Sequence, residues 1–299
     1  MKLKQWAQDW FAAWQAAHTG SYRTAQSYQG LLQNTILPCL GRYELAELTP
    51  LRLKRFFAGL PGGKAKNTYK LLRTILQQGV TAGLLAGNPC TPEILGEEVL
   101  ARRKAGPHRE KPVFTREEQE KLLAVCEEEL WGNLIRFAFA TGLPQGELLA
   151  LREEDVDLAA SRLTVRNRVV RIADEQAEER KTRLALLPVP PYSVPLPVAC
   201  KSIVESQLRT LRALQAVDAR CNPDHLLFAT PDGRPVEANV LREHLALLER
   251  RAGVPCLTFS AIRETAIRQA LEDGGTAAEV MERFHCKDRQ AFLRRYHQK

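Results

Sequence analysis

One stretch of this 299-residue chain alternates apolar with charged residues, and it limits how much sheet the fold can contain. RLTVRNRVVRI, residues 162–172, sets valines and an isoleucine between charged side chains, the period-two pattern of a half-buried strand. The next candidate strand, ALLPVPPYSVPLP, carries prolines at 188, 190, 191, 195 and 197. Proline has no N–H for a ladder, so this segment is limited to edge pairing. HLLFATPDGRPV, residues 225–236, adds a short strand and a turn. The remaining patterned segments have helical spacing, which predicts a mainly α fold with a small antiparallel sheet.

The first 90 residues read as helices throughout. Trp6, Trp10, Phe11 and Trp14 form one apolar stripe, better suited to a core than to base stacking. A second helix is predicted from Ser21 to about Gln33, with ILPCLG turning the chain. ELTPLRLKRFFAGL places Pro50 at a helix start and Leu51, Leu53, Phe56 and Phe57 inward. A fourth helix, within GGKAKNTYKLLRTILQQGVTAGLLAGNP, carries Lys64, Lys66, Asn67, Lys70 and Arg73 near its front. Residues 1–90 hold 11 Lys/Arg against 3 Asp/Glu, a net of +8, which equals the net of the whole chain. Positive charge confined to one segment is the footprint of a polyanion partner, with a solvated basic face as the plainer alternative. Arg23 and the cations of the fourth helix are the candidates for holding a phosphate backbone.

Residues 91–114 mix Pro, Gly and charge with weak periodicity and read as a basic linker offering Arg102, Arg103 and Lys104. TREEQEKLL then opens the second half with a Thr115–Glu118 capping box. Helices follow to about Ala140 and from Pro144 to Leu151, and KSIVESQLRTLRALQ is amphipathic. The expected organisation is 1–90, a helical module; 91–114, the linker; and 115–299, a second domain. The seven cysteines are scattered and never spaced CxxC, so neither a disulfide framework nor a metal site is expected. Without a long apolar run or a signal peptide, a cytoplasmic location is expected, with no membrane partner and no cofactor.

Several strings occur in an order that resembles the tyrosine recombinase, or phage integrase, family. SYRTAQSYQGLLQNTILPCLGRYELAELTPLRLKRFFAGL is similar to its SAM-like helical core-binding domain. KPVFTREEQEKLL, FATGLPQGELLALREEDVDL and LTFSAIRETAIRQALEDGG follow landmarks of its catalytic domain, and FLRRYHQK resembles the segment carrying the nucleophile. The resemblance implies duplex DNA as partner, other recombinase subunits on that DNA, and a prokaryotic or mobile-element origin. It also implies that Tyr296 attacks a phosphodiester to form a 3′-phosphotyrosyl link. Tyrosine ionises near pH ~10 and is a weak nucleophile at neutral pH, so fixed cations must surround the phosphate.

Against that pattern the chain departs at several positions. Where the family string reads Thr-Gly-Leu-Arg-x-x-Glu, this chain has Thr141-Gly142-Leu143-Pro144-Gln145-Gly146-Glu147. The His-x-x-Arg box reads Ser260-Ala261-Ile262-Arg263, followed by Glu264, whose carboxylate would repel a phosphate. No lysine precedes VPLP at the hairpin spacing, and Lys181 is the nearest. The late Gly-His pair corresponds roughly to His285-Cys286, offset by one residue. Arg263, His285 and Tyr296 are therefore the retained catalytic candidates. The expected function is a DNA-binding family member whose strand cleavage is lost or severely impaired. Its alternatives are an active site-specific recombinase using Tyr296, and a helical interaction scaffold without DNA.

Overall fold

The computed structural model describes residues 1–18, 22–95, 112–127, 129, 131–173 and 182–296. The chain divides into two compact units, Met1–Arg109 with Arg171–Thr182 and Glu110–Val170 with Arg183–Lys299.

The first unit is helical. Its elements are α1 (Leu3–Ala17), α2 (Tyr22–Leu31), α3 (Leu37–Leu40), α4 (Pro50–Ala58) and α5 (Gly62–Thr81). The tryptophan stripe of α1 packs inward as expected: Trp10 is buried, and the Trp6 indole N–H donates to the Ile75 carbonyl at 2.9 Å. ILPCLG departs from expectation, because it extends a helix instead of turning the chain. A π-helical turn, Leu32–Ile36, joins α2 to α3. Pro38 has no N–H to give the carbonyl four residues back, and the wider turn before it lets the helix continue. Leu32, Ile36 and Leu40 recur every fourth residue, all buried, and hold this helix to the core. In α4 the Thr49 hydroxyl accepts the Arg52 N–H at 3.3 Å, and Pro50 follows as the first helical residue. Leu53 and Phe57 are buried, but Leu51 is 61% exposed, a correction to the inward reading. Two residues from Leu53, it lies on the opposite side of a 3.6-residue helix. Beyond the fourth long helix, a short turn at Pro92–Leu95 buries Ile94 and Leu95 in the same core.

The second unit wraps helices around a small sheet. Its helices are α6 (Arg116–Val125), α7 (Gly132–Thr141), α8 (Gln145–Leu148), α9 (Ala199–Val217), α10 (Ala238–Ala252), α11 (Phe259–Glu272), α12 (Ala277–Arg283) and α13 (Arg289–Tyr296). Strands β1 (Val156–Asp157), β2 (Arg162–Ala173) and β3 (Thr182–Pro195) form one antiparallel sheet in that order, with the proline-rich β3 on an edge. The predicted capping box starts α6, with the Thr115 hydroxyl accepting from Glu118 N–H and the Glu118 carboxylate accepting from Thr115 N–H. Helix α7 is the hub: Leu134, Ile135 and Phe137 are buried, and α9 and α11 pack against it. Residues 225–236 form only isolated bridges, Arg152↔Leu226 and Ala229↔Pro235, not the expected strand. The Asn222 amide takes both backbone groups of Leu226, and Thr230 takes those of Arg234, so loop side chains replace a ladder. Helix α8 is also shorter than Pro144–Leu151, because Leu151 already pairs with the backbone of Leu227. Among the described residues no helix is long and apolar enough to cross a membrane.

Two positions in this core generate measurable expectations. Gly142 ends α7 in the left-handed region at φ +59°, and a Cβ there would sit 2.6 Å from the Phe284 ring. Gly142→Ala should destabilise by about 2–4 kcal/mol in urea unfolding, combining left-handed strain with overpacking. Gly83, at φ +73° with open space around it, isolates the strain component, and its Ala variant should lose about 1 kcal/mol. Equal losses at the two sites would show that the Phe284 contact does not matter.

Glu249 is fully buried in α10, where one carboxylate oxygen accepts the Leu257 N–H at 3.0 Å and the other has no partner. Burial pushes its carboxyl up from 4.5 to about 7, against the Leu257 bond and Arg250, which favour the charged form. The folded state therefore binds this proton more tightly than the unfolded chain. Its stabilisation is fully present below pH 4.5 and is lost as pH rises through about 7. Thermal melting across that window should show Glu249→Gln gaining on the wild type as pH rises, then levelling off. A constant difference between the two would contradict the assignment.

Candidate functional site

Three chain segments build a cleft of about 340 Å³ in the second unit. Helix α11 supplies Ser260, Arg263 and Glu264; the turn after α12 supplies Cys286 and Lys287; α13 supplies Arg295 and Tyr296. Helix α13 is anchored by buried Phe292, whose ring lies 4.7 Å from that of Tyr296. Helix α12 starts on a Thr276–Glu279 capping box and ends at Phe284, which is buried against Gly142.

Arg263 is the central cation, and its partners are backbone atoms. It donates to the carbonyl of Gly142 at 2.5 Å and to that of Phe284 at 2.7 Å, with Cys286 Sγ at 3.5 Å. A salt bridge to Glu147, the structural alternative for this arginine, does not form; Glu147 instead accepts the Tyr192 hydroxyl. Glu264 is buried, and its charge is answered by Arg295, which donates from two nitrogens, and by Arg268 at 3.6 Å. The carboxylate expected to repel a phosphate is thus neutralised from both sides. Burial and the Glu264 carboxylate push the Tyr296 hydroxyl well above its ordinary range, while Arg295 pulls the other way. Tyr296 is accordingly a neutral hydroxyl at rest.

His285 takes a different place from the one expected. It adopts φ +48° just past the end of α12, a left-handed position usually given to glycine. Its ring stacks on Tyr192 at 3.6 Å with the planes 5° apart, and its buried Nε2 has no partner. Burial and neighbouring Lys287 hold its pKa below the ordinary histidine value. The residue after it, Cys286, is the one that lines the cleft and meets Arg263. Pro144 precedes α8 with ψ 138°, and its carbonyl receives the N–H groups of Glu147 and Leu148. It is not among the residues lining the cleft, whereas Ser260 is, with its hydroxyl 2.8 Å from that of Thr258.

Cys286, Lys287 and Tyr192 were not singled out from the sequence. Proximity to the late Gly-His position was the only available signal for the first two, and Tyr192 lay hidden in a proline-rich strand.

Of the basic candidates in the first unit, Lys64, Lys66, Asn67 and Lys70 are exposed on α5, and Arg23 is exposed on α2. Lys66, Lys70 and Arg73 share one face of α5 at helical spacing. Arg73 is already committed in part, donating to the Cys90 carbonyl at 2.8 Å. Lys181, Arg102, Arg103 and Lys104 lie outside the described residues.

Comparison with known proteins agrees with this layout. Residues 2–60 match the family model described as phage integrase, N-terminal SAM-like domain. A tyrosine recombinase XerC-like protein of Caldanaerobacter subterraneus subsp. tengcongensis is 28% identical over 274 residues, 87% of this chain and 70% of its own. A putative prophage phiRv2 integrase of Mycobacterium tuberculosis is 27% identical over 286 residues, 92% of this chain and 70% of its own. Among solved structures, the Tn1549 transposon integrase in complex with circular intermediate DNA superposes with a TM-score of 0.74. It is 15% identical and covers 99% of this chain and 95% of that one. A lambda integrase dimer bound to a COC′ core site gives a TM-score of 0.66 at 14% identity, with the same coverage. The solved structures share the fold, residues 2–60 match a phage-integrase SAM-like domain, and the sequence is similar across both units to proteins described as tyrosine recombinases and integrases.

Proposed function

We propose that this protein holds duplex DNA and cleaves and rejoins it through Tyr296, as a site-specific recombinase of integrase type. The observation that carries the proposal is that Arg263, Lys287 and Tyr296 line one cleft, although they come from three separate segments. Phosphoryl transfer to a hydroxyl asks for little else from a protein than a positioned nucleophile and fixed positive charge. In this scheme the Tyr296 oxygen attacks phosphorus, a 3′-phosphotyrosyl link forms and a 5′-hydroxyl leaves. Arg263 and Lys287 supply charge to the phosphate oxygens. The relatives described as integrases, and the neighbours solved on DNA, support the same assignment.

Pro144 sets the expected rate. Removing one donor to transition-state charge typically slows a reaction by about 10²–10³, so cleavage should be slow. A second reading, DNA binding without cleavage, is favoured by Pro144 together with the engagement of Arg263 by two carbonyls.

A duplex nicked beside the cleavage position traps the covalent intermediate and separates the two readings. Slow accumulation of a protein–DNA adduct, absent in Tyr296→Phe, is the expected result. Pro144→Arg, which returns a guanidinium to the position the family fills with arginine, should speed it by about 10² or more. Binding without adduct in either protein would leave the second reading.

DNA holding is assigned to different residues: Arg23, Lys64, Lys66, Asn67 and Lys70 of the first unit, with Arg102, Arg103 and Lys104 following. Lys64, Lys66 and Lys70 changed together to Ala should weaken binding to all sequences alike and flatten the salt slope by up to about 3. Fluorescence anisotropy on a labelled duplex across a salt series measures both. Unchanged affinity in that variant would remove α5 from the interface, and no binding by the wild type at low salt would favour an interaction scaffold.

A further inference from the structure

Glu264 is conspicuous for its position. A buried carboxylate beside a cleft meant for a phosphate is unfavourable twice, through lost hydration and through repulsion. Two arginines answer its charge, Arg295 from α13 and Arg268 from one turn further along α11. An ion-pair anchor for α13 would need nothing more. The carboxylate also lines the same cleft as the Tyr296 hydroxyl, and its charge acts on that hydroxyl. Arg295 is the residue directly before Tyr296, so its two hydrogen bonds to Glu264 hold this part of α13 beside the carboxylate.

We propose that Glu264 is the proton acceptor for Tyr296, a catalytic residue carried on α11 beside Arg263. The role rests on the strand-cleavage reading above. As the Tyr296 oxygen bonds to phosphorus, its proton passes to a Glu264 oxygen. The bond from phosphorus to the 5′-oxygen breaks, and that oxygen takes a proton from water. In rejoining, the 5′-hydroxyl attacks phosphorus and gives its proton to water. Tyr296 leaves and recovers the proton from Glu264. A carboxylate is a weak base towards a free phenol. It acts here because the phenol oxygen becomes acidic as its bond to phosphorus forms, which is the regime of general-base catalysis. Arg268 and Arg295 keep the acceptor in place, and Arg263 and Lys287 carry the phosphate charge. The other titratable groups facing the cleft are Cys286 and Asp288.

The rate of adduct formation on the nicked duplex, followed from pH 6 to 10, tests the role. Glu264→Gln keeps the size but cannot take the proton. Its rate near neutrality should fall by about 10² or more. That rate should then rise tenfold per pH unit, because hydroxide alone removes the proton, while the wild-type profile stays flat. Glu264→Asp should recover part of the loss. A Glu264→Gln variant as fast as wild type with the same profile, or faster, overturns the acceptor role and leaves the cleavage reading standing. No adduct from any of the proteins overturns the cleavage reading and the acceptor role together. If Glu264→Gln does not fold, Glu264→Asp is read alone, and a rate and pH profile unchanged from wild type overturn the proposal.

Discussion

The guanidinium of Arg263 joins the parts of the second unit that matter most for its cleft. Its two carbonyl partners, Gly142 and Phe284, each sit just past the end of a helix, α7 and α12. Carbonyls at helix C-termini lack intrahelical partners and lie at the negative end of the helix dipole. A guanidinium placed between two such ends satisfies both at once, and charge-assisted bonds of this kind contribute about 1.5–3 kcal/mol each. The same contact brings Cys286 and Lys287 to the mouth of the cleft, because the turn that carries them begins at Phe284. Gly142 must be glycine for the Phe284 ring to approach, so the end of one helix shapes the end of the other.

Much of the fold was legible because its signals are local. The capping residues Thr115 and Thr49, the alternation in β2, the prolines of β3 and the tryptophan stripe of α1 each depend on neighbours within a few residues. The misreadings have local causes too. ILPCLG reads as a turn, but a π turn ahead of Pro38 absorbs the missing hydrogen bond. Leu51 reads inward on hydrophobicity alone, against the helical spacing that separates it from Leu53. Residues 225–236 look like a strand until the side chains of Asn222 and Thr230 are seen to take their backbone groups.

The cleft was less legible, because its members meet only in three dimensions. A string spacing cannot decide which of two adjacent residues takes the left-handed turn after a helix. His285 takes it, a conformation histidine tolerates better than most residues. That rotation points its ring at Tyr192 and leaves Cys286 beside Arg263. Glu264 was equally hard to weigh: as a lone carboxylate it argues against phosphate, whereas between Arg268 and Arg295 its charge is already answered.

Pro144 separates two properties that are easily confused. On the proposed function, holding DNA depends on many distributed cations, and the whole net charge of the chain, +8, already resides in its first 90 residues. Electrostatic binding of that kind changes gradually when one cation is lost. Chemistry at the phosphate depends on a few fixed charges, where one loss changes the rate by orders of magnitude. On that reading proline at residue 144 acts almost wholly on rate. It is also easily accommodated, since its own N–H is not needed and its carbonyl still receives Glu147 and Leu148. A substitution that leaves fold and DNA holding intact while slowing cleavage keeps the protein occupying its sites for longer between cuts. On the proposed function, the chain is then more an occupant of DNA and less a cutter of it.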